Sequence, residues 1–237
     1  MKIAILLGLS LTLLGATTIW KSQSNSQPGQ RNQSLTQNER EDPTTLRTRV
    51  KKAKPNGNNE VVFAAPEPIL ADLGSLDEAL ANYSVVIAQL VDSTSLQVDP
   101  RNIMTYHKFR ILETLSQKHL PFLGVPAKLP TELPPLKDSE IYVLEGGGTV
   151  LIDGVKVTQK AAYEYAKSRK YLLFISKNSP ETIAMVNLGK YGIFRVKEDD
   201  DDTLEAIAEE ISPLKRDLEQ RHANKISTLR AVAKRNN

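Results

Sequence analysis

The chain contains three histidines, His107, His119 and His222, and no cysteine. Thiolate chemistry and disulfides are therefore absent, and a metal or acid–base centre would have to be built from imidazoles, carboxylates and hydroxyls that converge in space. His107 lies in Thr105-Tyr-His-Lys-Phe-Arg-Ile111, where it alternates with Tyr106 and Lys108 and shares a face with Phe109 and Ile111. That spacing predicts a histidine tucked on an apolar strand face rather than a ligand or base. His119 sits in a proline-rich segment and could approach His107, but no spacing fixes the distance. His222 falls among Arg221 and Lys225 near the C-terminus.

Three further groups have the right atoms for chemistry. The run Glu198-Asp199-Asp200-Asp201-Asp202 offers oxygen ligands but lacks the alternation, the glycine and the distal glutamate of a calcium loop. It reads as an acidic loop leading into a helix N-terminus, where the helix dipole favours negative charge. Gly146-Gly147-Gly148 reads as a turn or bulge, with an anion-binding nest as the sharper alternative. Tyr163, Tyr165 and Tyr171 could present an aromatic ligand face, but they read first as framework packing. No G-x-S-x-G, H-E-x-x-H or phosphate-cradling motif occurs. The sequence thus names no catalytic, cofactor-binding or metal-binding residue and implies no cofactor.

The N-terminus speaks to location. After Lys2, residues Ile3–Trp20 form an uncharged run rich in Leu and Ile, ended by Lys21. As a helix it would extend roughly 27 Å, just enough for the ~30 Å hydrocarbon core. Residues 1–20 are read as a signal peptide or a membrane anchor. Cleavage after Ala16 or Thr18 leaves a large Leu14 or a threonine at a position that wants a small residue, so both outcomes stay open. The expected localisation is periplasmic or extracellular, or anchored to the membrane by residues 3–20.

Net charge is +3, unevenly spread. Residues 21–60 carry eight Lys/Arg against four Asp/Glu, and 213–237 carry seven against two; the stretch between is acidic, at −7. A nucleic-acid reader concentrates positive charge on its folded domain, so no nucleic-acid partner is expected. Residues 21–68 read as a disordered polar and basic linker, too poor in large apolar residues to offset the entropy of ordering. Its cluster Arg47, Arg49, Lys51, Lys52 and Lys54 is a solvated linker feature, or else an attraction to anionic lipid headgroups or wall polymers.

Residues 69–198 read as a β-rich domain. Ser75 with Glu78 forms a capping box for a helical turn at Leu76–Leu80. Strands are expected at 83–91, 103–115, 141–144, 171–176, 182–188 and 192–196, with a turn at Asp99–Asn102, an irregular loop at 120–135 and a short helix at 160–167. The clearest local signal is Thr149–Thr158, where Asp153-Gly154 fits a type I′ turn. That register pairs Ile152 with Val155 and Val150 with Val157. Residues 199–237 read as C-terminal helices: one from Asp202 to Ile211, and one over 213–233 capped by Ser212 with Pro213 at its first position. The stripe Leu214, Leu218, Ile226, Leu229 and Val232 is interrupted by His222, so either the first half packs on the domain and Ile226 to Lys234 is more exposed to a partner or an anionic surface, or the whole helix caps an open end of the domain. The fold class is mainly β (α+β), a small barrel or sandwich of about seven strands with C-terminal helices.

The succession YSVVIAQLVDS, TYHKFRILETL, GGTVLIDGVKVTQ, KYLLFIS and YGIFRV, with the tail DLEQRHANKISTLR, resembles a family of exported bacterial β-domain proteins with no assigned activity. The resemblance covers roughly residues 74–232 and implies export and this layout, and no chemistry. Three functions follow as expectations. The first is an exported, tethered binding or structural module of the cell envelope, with an envelope protein or polymer as partner. The second is an envelope hydrolase whose site the sequence does not reveal. The third is an assembly subunit that oligomerises through its C-terminal helix.

Overall fold

A computed structural model describes residues 42–64, 75–118, 129–161, 163–177, 183–186 and 189–236. Residues 1–20, His119 and most of the proline-rich loop lie outside the described residues. The described elements run α1 (Leu46–Ala53), β1 (Glu60–Ala64), α2 (Leu76–Asn82), β2 (Ser84–Gln97), β3 (Ile103–Ser116), β4 (Glu140–Gly146), β5 (Gly148–Ile152), β6 (Val155–Lys160), β7 (Lys170–Lys177), β8 (Ile183–Val186), β9 (Ile193–Val196), β10 (Leu204–Ala206), α3 (Pro213–His222) and α4 (Ile226–Asn236). The protein is mainly β with C-terminal helices, as expected. The described strands number ten rather than seven, in two sheets.

The larger sheet has the order β10-β9-β7-β2-β3-β4-β8. Because β8 pairs in parallel with β4 and antiparallel with β7, the sheet rolls up around an apolar interior. Val86, Ala88 and Leu90 of β2 face inward with Phe109, Val143, Leu173 and Ile175. The alternate residues Val85, Ile87, Leu172 and Phe174 meet α2, α3 and α4 on the outer face. Residues 84–88 of β2 and 171–176 of β7 are buried on both faces, which is why these stretches read as unbroken apolar runs rather than alternating ones.

The smaller sheet, β1-β6-β5, contains the hairpin read from the sequence. Ile152 pairs with Val155 and Val150 with Val157. Asp153 and Gly154 have φ of +49° and +80°, the left-handed pair that a type I′ turn requires.

Four expectations are corrected. Within the stretch read as a disordered linker, α1 forms and packs Leu46 and Val50 on Ile103, Val155 and Val157, while β1 pairs in parallel with β6. The apolar residues are few, but i, i+4 spacing gathers them on one face, and the surface that buries them comes from distant sequence. Arg47, Lys51 and Lys52 point outward from this helix, and Arg49 lies 4.5 Å over the Phe63 ring.

Residues 160–167 are not helical. β6 continues to Lys160, and Tyr163 and Tyr165 both turn toward the interior cluster, a spacing of two that suits extended chain. The helix expected from Asp202 is replaced by β10, whose backbone completes the edge of β9.

The tail is two helices rather than one. Ala223 and Asn224 both adopt positive φ, and the Asn224 N–H returns to the Leu218 carbonyl, the left-handed close of a helix. The break folds α4 back, so Ile226 and Leu229 are each 1% exposed within the outer-face core, which corrects the exposed-tail reading and agrees with the capping alternative. The apolar stripe required for association through the tail is therefore internal.

Candidate functional site

The interior of the rolled sheet turns polar at one end. On β3 the inward series Ile111, Phe109, His107, Thr105 passes from apolar to polar. Across β4, Val143 lies opposite His107 and Glu145 opposite Thr105, so Glu145 continues the Val143 face. Across β2, Leu90 lies opposite Phe109 and Ser93 opposite His107, with one extra residue between them: a bulge between Leu90 and Asp92. Without that residue, strict alternation would aim Asp92 at His107 and turn Ser93 away. The bulge re-aims the strand and sets a hydroxyl beside the imidazole.

The three side chains form a continuous hydrogen-bonded series. Ser93 Oγ is 2.8 Å from His107 Nδ1, and His107 Nε2 is 3.0 Å from Glu145 Oε2. The other carboxyl oxygen, Oε1, accepts from the Tyr163 backbone N–H at 3.3 Å. His107 and Glu145 are buried, with side chains 9% and 4% exposed, whereas Ser93 faces solvent. A carboxylate only accepts hydrogen bonds, so the neutral imidazole carries its proton on Nε2. In that neutral tautomer Nδ1 is the acceptor and Ser93 the donor.

Below this series, Ser95 Oγ meets Thr105 Oγ1 at 2.8 Å, and Thr105 donates to the Gly147 carbonyl at 2.8 Å. The glycine run is what lets the smaller sheet come this close. At Gly148 φ is +127°, and a Cβ there would stand 2.2 Å from Thr105 Oγ1 and 2.4 Å from Ser95 Oγ. The anion-nest alternative does not hold at Gly147, whose N–H donates to the Ile103 carbonyl.

The space between the two sheets at this point is a cleft of about 680 Å³. Ser93, Ser95, Thr105, His107 and Glu145 line one side, Thr158, Gln159 and Lys160 another, and Tyr163, Glu164 and Tyr165 a third. The Tyr165 ring stands edge-on to His107 at 4.5 Å and to Phe109, Tyr163 and Tyr171 at 5.2 to 5.2 to 5.2 Å. Tyr171 is framework: it is fully buried, and its hydroxyl takes the Ala166 N–H at 2.7 Å. The Tyr163 and Tyr165 hydroxyls face each other, but Tyr165 Oη forms no hydrogen bond of good geometry among the described residues. Burial first, and the nearby Glu145 charge with it, push both phenols well above the usual tyrosine range. Both therefore remain neutral donors at any physiological pH.

The sequence-named residues divide accordingly. His107, Tyr163 and Tyr165 converge on the cleft. Arg47, Arg49, Lys51 and Lys52 belong to α1, and Ile226 and Leu229 to the core. His222 is buried at the end of α3, 3.9 Å from Asp217, with neither ring nitrogen hydrogen-bonded among the described residues. Among the described residues no group of three or more potential ligands could hold a metal ion. Ser93 and Glu145 were missed. A bulge conceals the phase of Ser93, and Glu145 stands where a strand meets three glycines. The one available signal was Glu145 two residues beyond Val143, on the same strand face.

The acidic run does lead to a helix N-terminus, though not a local one. Asp202 accepts from the Ser227 N–H and hydroxyl at 2.6 and 2.7 Å, capping α4. Asp200 accepts from Lys225 Nζ and Thr203 Oγ1.

No known protein family and no curated protein matches this chain.

Proposed function

We propose that the chain is an exported module of the bacterial cell envelope whose cleft binds a hydroxyl-rich ligand, such as a sugar of a wall polymer. The uncharged run Ile3–Trp20 supports export, and the resemblance to exported β-domain proteins agrees with it. No helix among the described residues is long and apolar enough to cross a membrane.

The observation that carries the binding reading is the composition of the cleft wall. It offers hydroxyls, a buried carboxylate and an amide beside an aromatic cluster in which the Tyr163 and Tyr165 hydroxyls face each other. The volume falls within the range of small-molecule pockets, roughly 300–1,000 Å³.

The test has two parts. Protease added to intact spheroplasts should digest residues 60–237, and complete protection would refute export. Muramidase-released wall fragments titrated into the full-length protein should show saturable ligand-observed NMR transfer that weakens about tenfold in Tyr165→Phe. Absence of saturable binding to these fragments would refute the ligand class.

A further inference from the structure

Ser93, His107 and Glu145 meet the geometric test that separates a nucleophile from an ordinary surface serine. A base lies within hydrogen-bond reach of a hydroxyl, a carboxylate orients the base, and all three open on one concave site. The direction of each hydrogen bond is fixed by the chemistry of the partners. Glu145 accepts from Nε2, and Nδ1 accepts from Ser93. The imidazole is held in the single tautomer that can receive the Ser93 proton. Exposure is arranged in the same sense, with the base and its orienting group buried and the hydroxyl reachable.

We infer that Ser93 is an acylatable nucleophile and that the cleft hydrolyses acyl esters carried on a hydroxyl of its ligand. Ser93 Oγ forms a bond to the ester carbonyl carbon while its proton passes to His107 Nδ1. The carbonyl π pair moves onto oxygen. Collapse breaks the bond to the alkoxy group, which takes the proton from Nδ1 and leaves as the free hydroxyl. Water then attacks the acyl-serine, again giving its proton to Nδ1. The carboxylic acid departs and Ser93 is restored. The net reaction consumes one ester and one water and yields one acid and one alcohol. Neither oxidant nor metal is required. Glu145 touches no reacting atom and acts as a positioning residue.

The inference rests on the cleft being the ligand site, and its test is separable from that of binding. Full-length protein treated with a fluorophosphonate probe and analysed by peptide mass spectrometry should carry one adduct, on Ser93. Labelling should fall at least about 100-fold in Ser93→Ala and His107→Gln, and partially in Glu145→Gln. In the wild-type protein the labelling rate should fall in acid, a readout that needs no variant to fold. Heat-unfolded protein should not label. No adduct on Ser93, or one that forms equally fast in unfolded protein or independently of pH, would overturn the inference. Wall-fragment binding retained by a protein that never acylates overturns this step and leaves the binding reading intact; acylation without such binding does the reverse.

Discussion

Two polar networks in this protein have nearly the same parts and opposite settings. In the cleft, His107 and Glu145 are almost wholly buried and end on an exposed serine. At the C-terminus, Asp200 and Asp202 grip Lys225, just before α4, and Ser227 in its first turn, while Arg230 makes a two-pronged pair with Glu113 of β3 at 2.7–3.1 Å. The second network is open to solvent: Asp200 and Lys225 side chains are 42% and 38% exposed. Exposed pairs individually contribute little, about 0–1 kcal/mol, so this clamp fixes the position of α4 while the apolar contacts beneath it supply the stability. Its acceptors are matched by donors within the chain. The cleft network is buried, where an unmatched polar group is costly, yet it ends on a reachable hydroxyl that lines the cleft. The contrast separates a network completed by folding from one that a ligand would complete.

The comparison breaks most forcibly at the tail. Truncation after Ala223 removes Ile226, Leu229 and Val232 from the outer-face core. Each large side chain lost from a core costs roughly 2–5 kcal/mol, so the truncated chain should lose its cooperative thermal transition. Retention of that transition would mean the clamp region is peripheral. Gly148→Val should cost about 1–3 kcal/mol by overpacking, with added strain from the positive φ, and should abolish ligand binding by driving the two sheets apart. Denaturant titration together with the NMR transfer experiment reads both effects.

Smaller changes refine the contrast. Asp202→Ala removes the cap of α4 and should cost about 1 kcal/mol without changing Ser93 labelling. Glu113 is held below the usual carboxylate range, chiefly by its hydrogen bonds from Arg230. Because its folded value is depressed, its stabilisation is complete above the unfolded value of about 4.3 and is lost as pH falls through the folded value. Glu113→Gln should therefore flatten the dependence of thermal stability on pH below about 4.3, with an effect under ~1 kcal/mol at neutral pH. Ser93→Ala should have the smallest consequence, within about 0.5 kcal/mol, because the hydroxyl is exposed. A large loss of stability there would make the cleft series a structural network of the same kind as the clamp.

Local chemistry legible in the residues determined much of this protein. Asp153-Gly154 determined its hairpin, because few residue pairs accept two successive left-handed conformations. Ser75 and Ser212 determined two helix starts, each accepting the N–H three residues on. Alternation in Thr105–Ile111 determined the face of His107, and apolar runs determined which strands are covered on both sides. Tertiary structure alone decided the remainder. The short basic segment 46–53 became a helix because β3 and β6 buried its few apolar residues. Asp202 capped a helix 25 residues away instead of starting its own, because the free edge of β9 took the next three residues as a strand. The bulge in β2 joined Ser93 to His107 by shifting the strand's phase by one residue. Alternation along a single strand cannot register such a shift, since the phase is set by hydrogen bonds to the neighbouring strand.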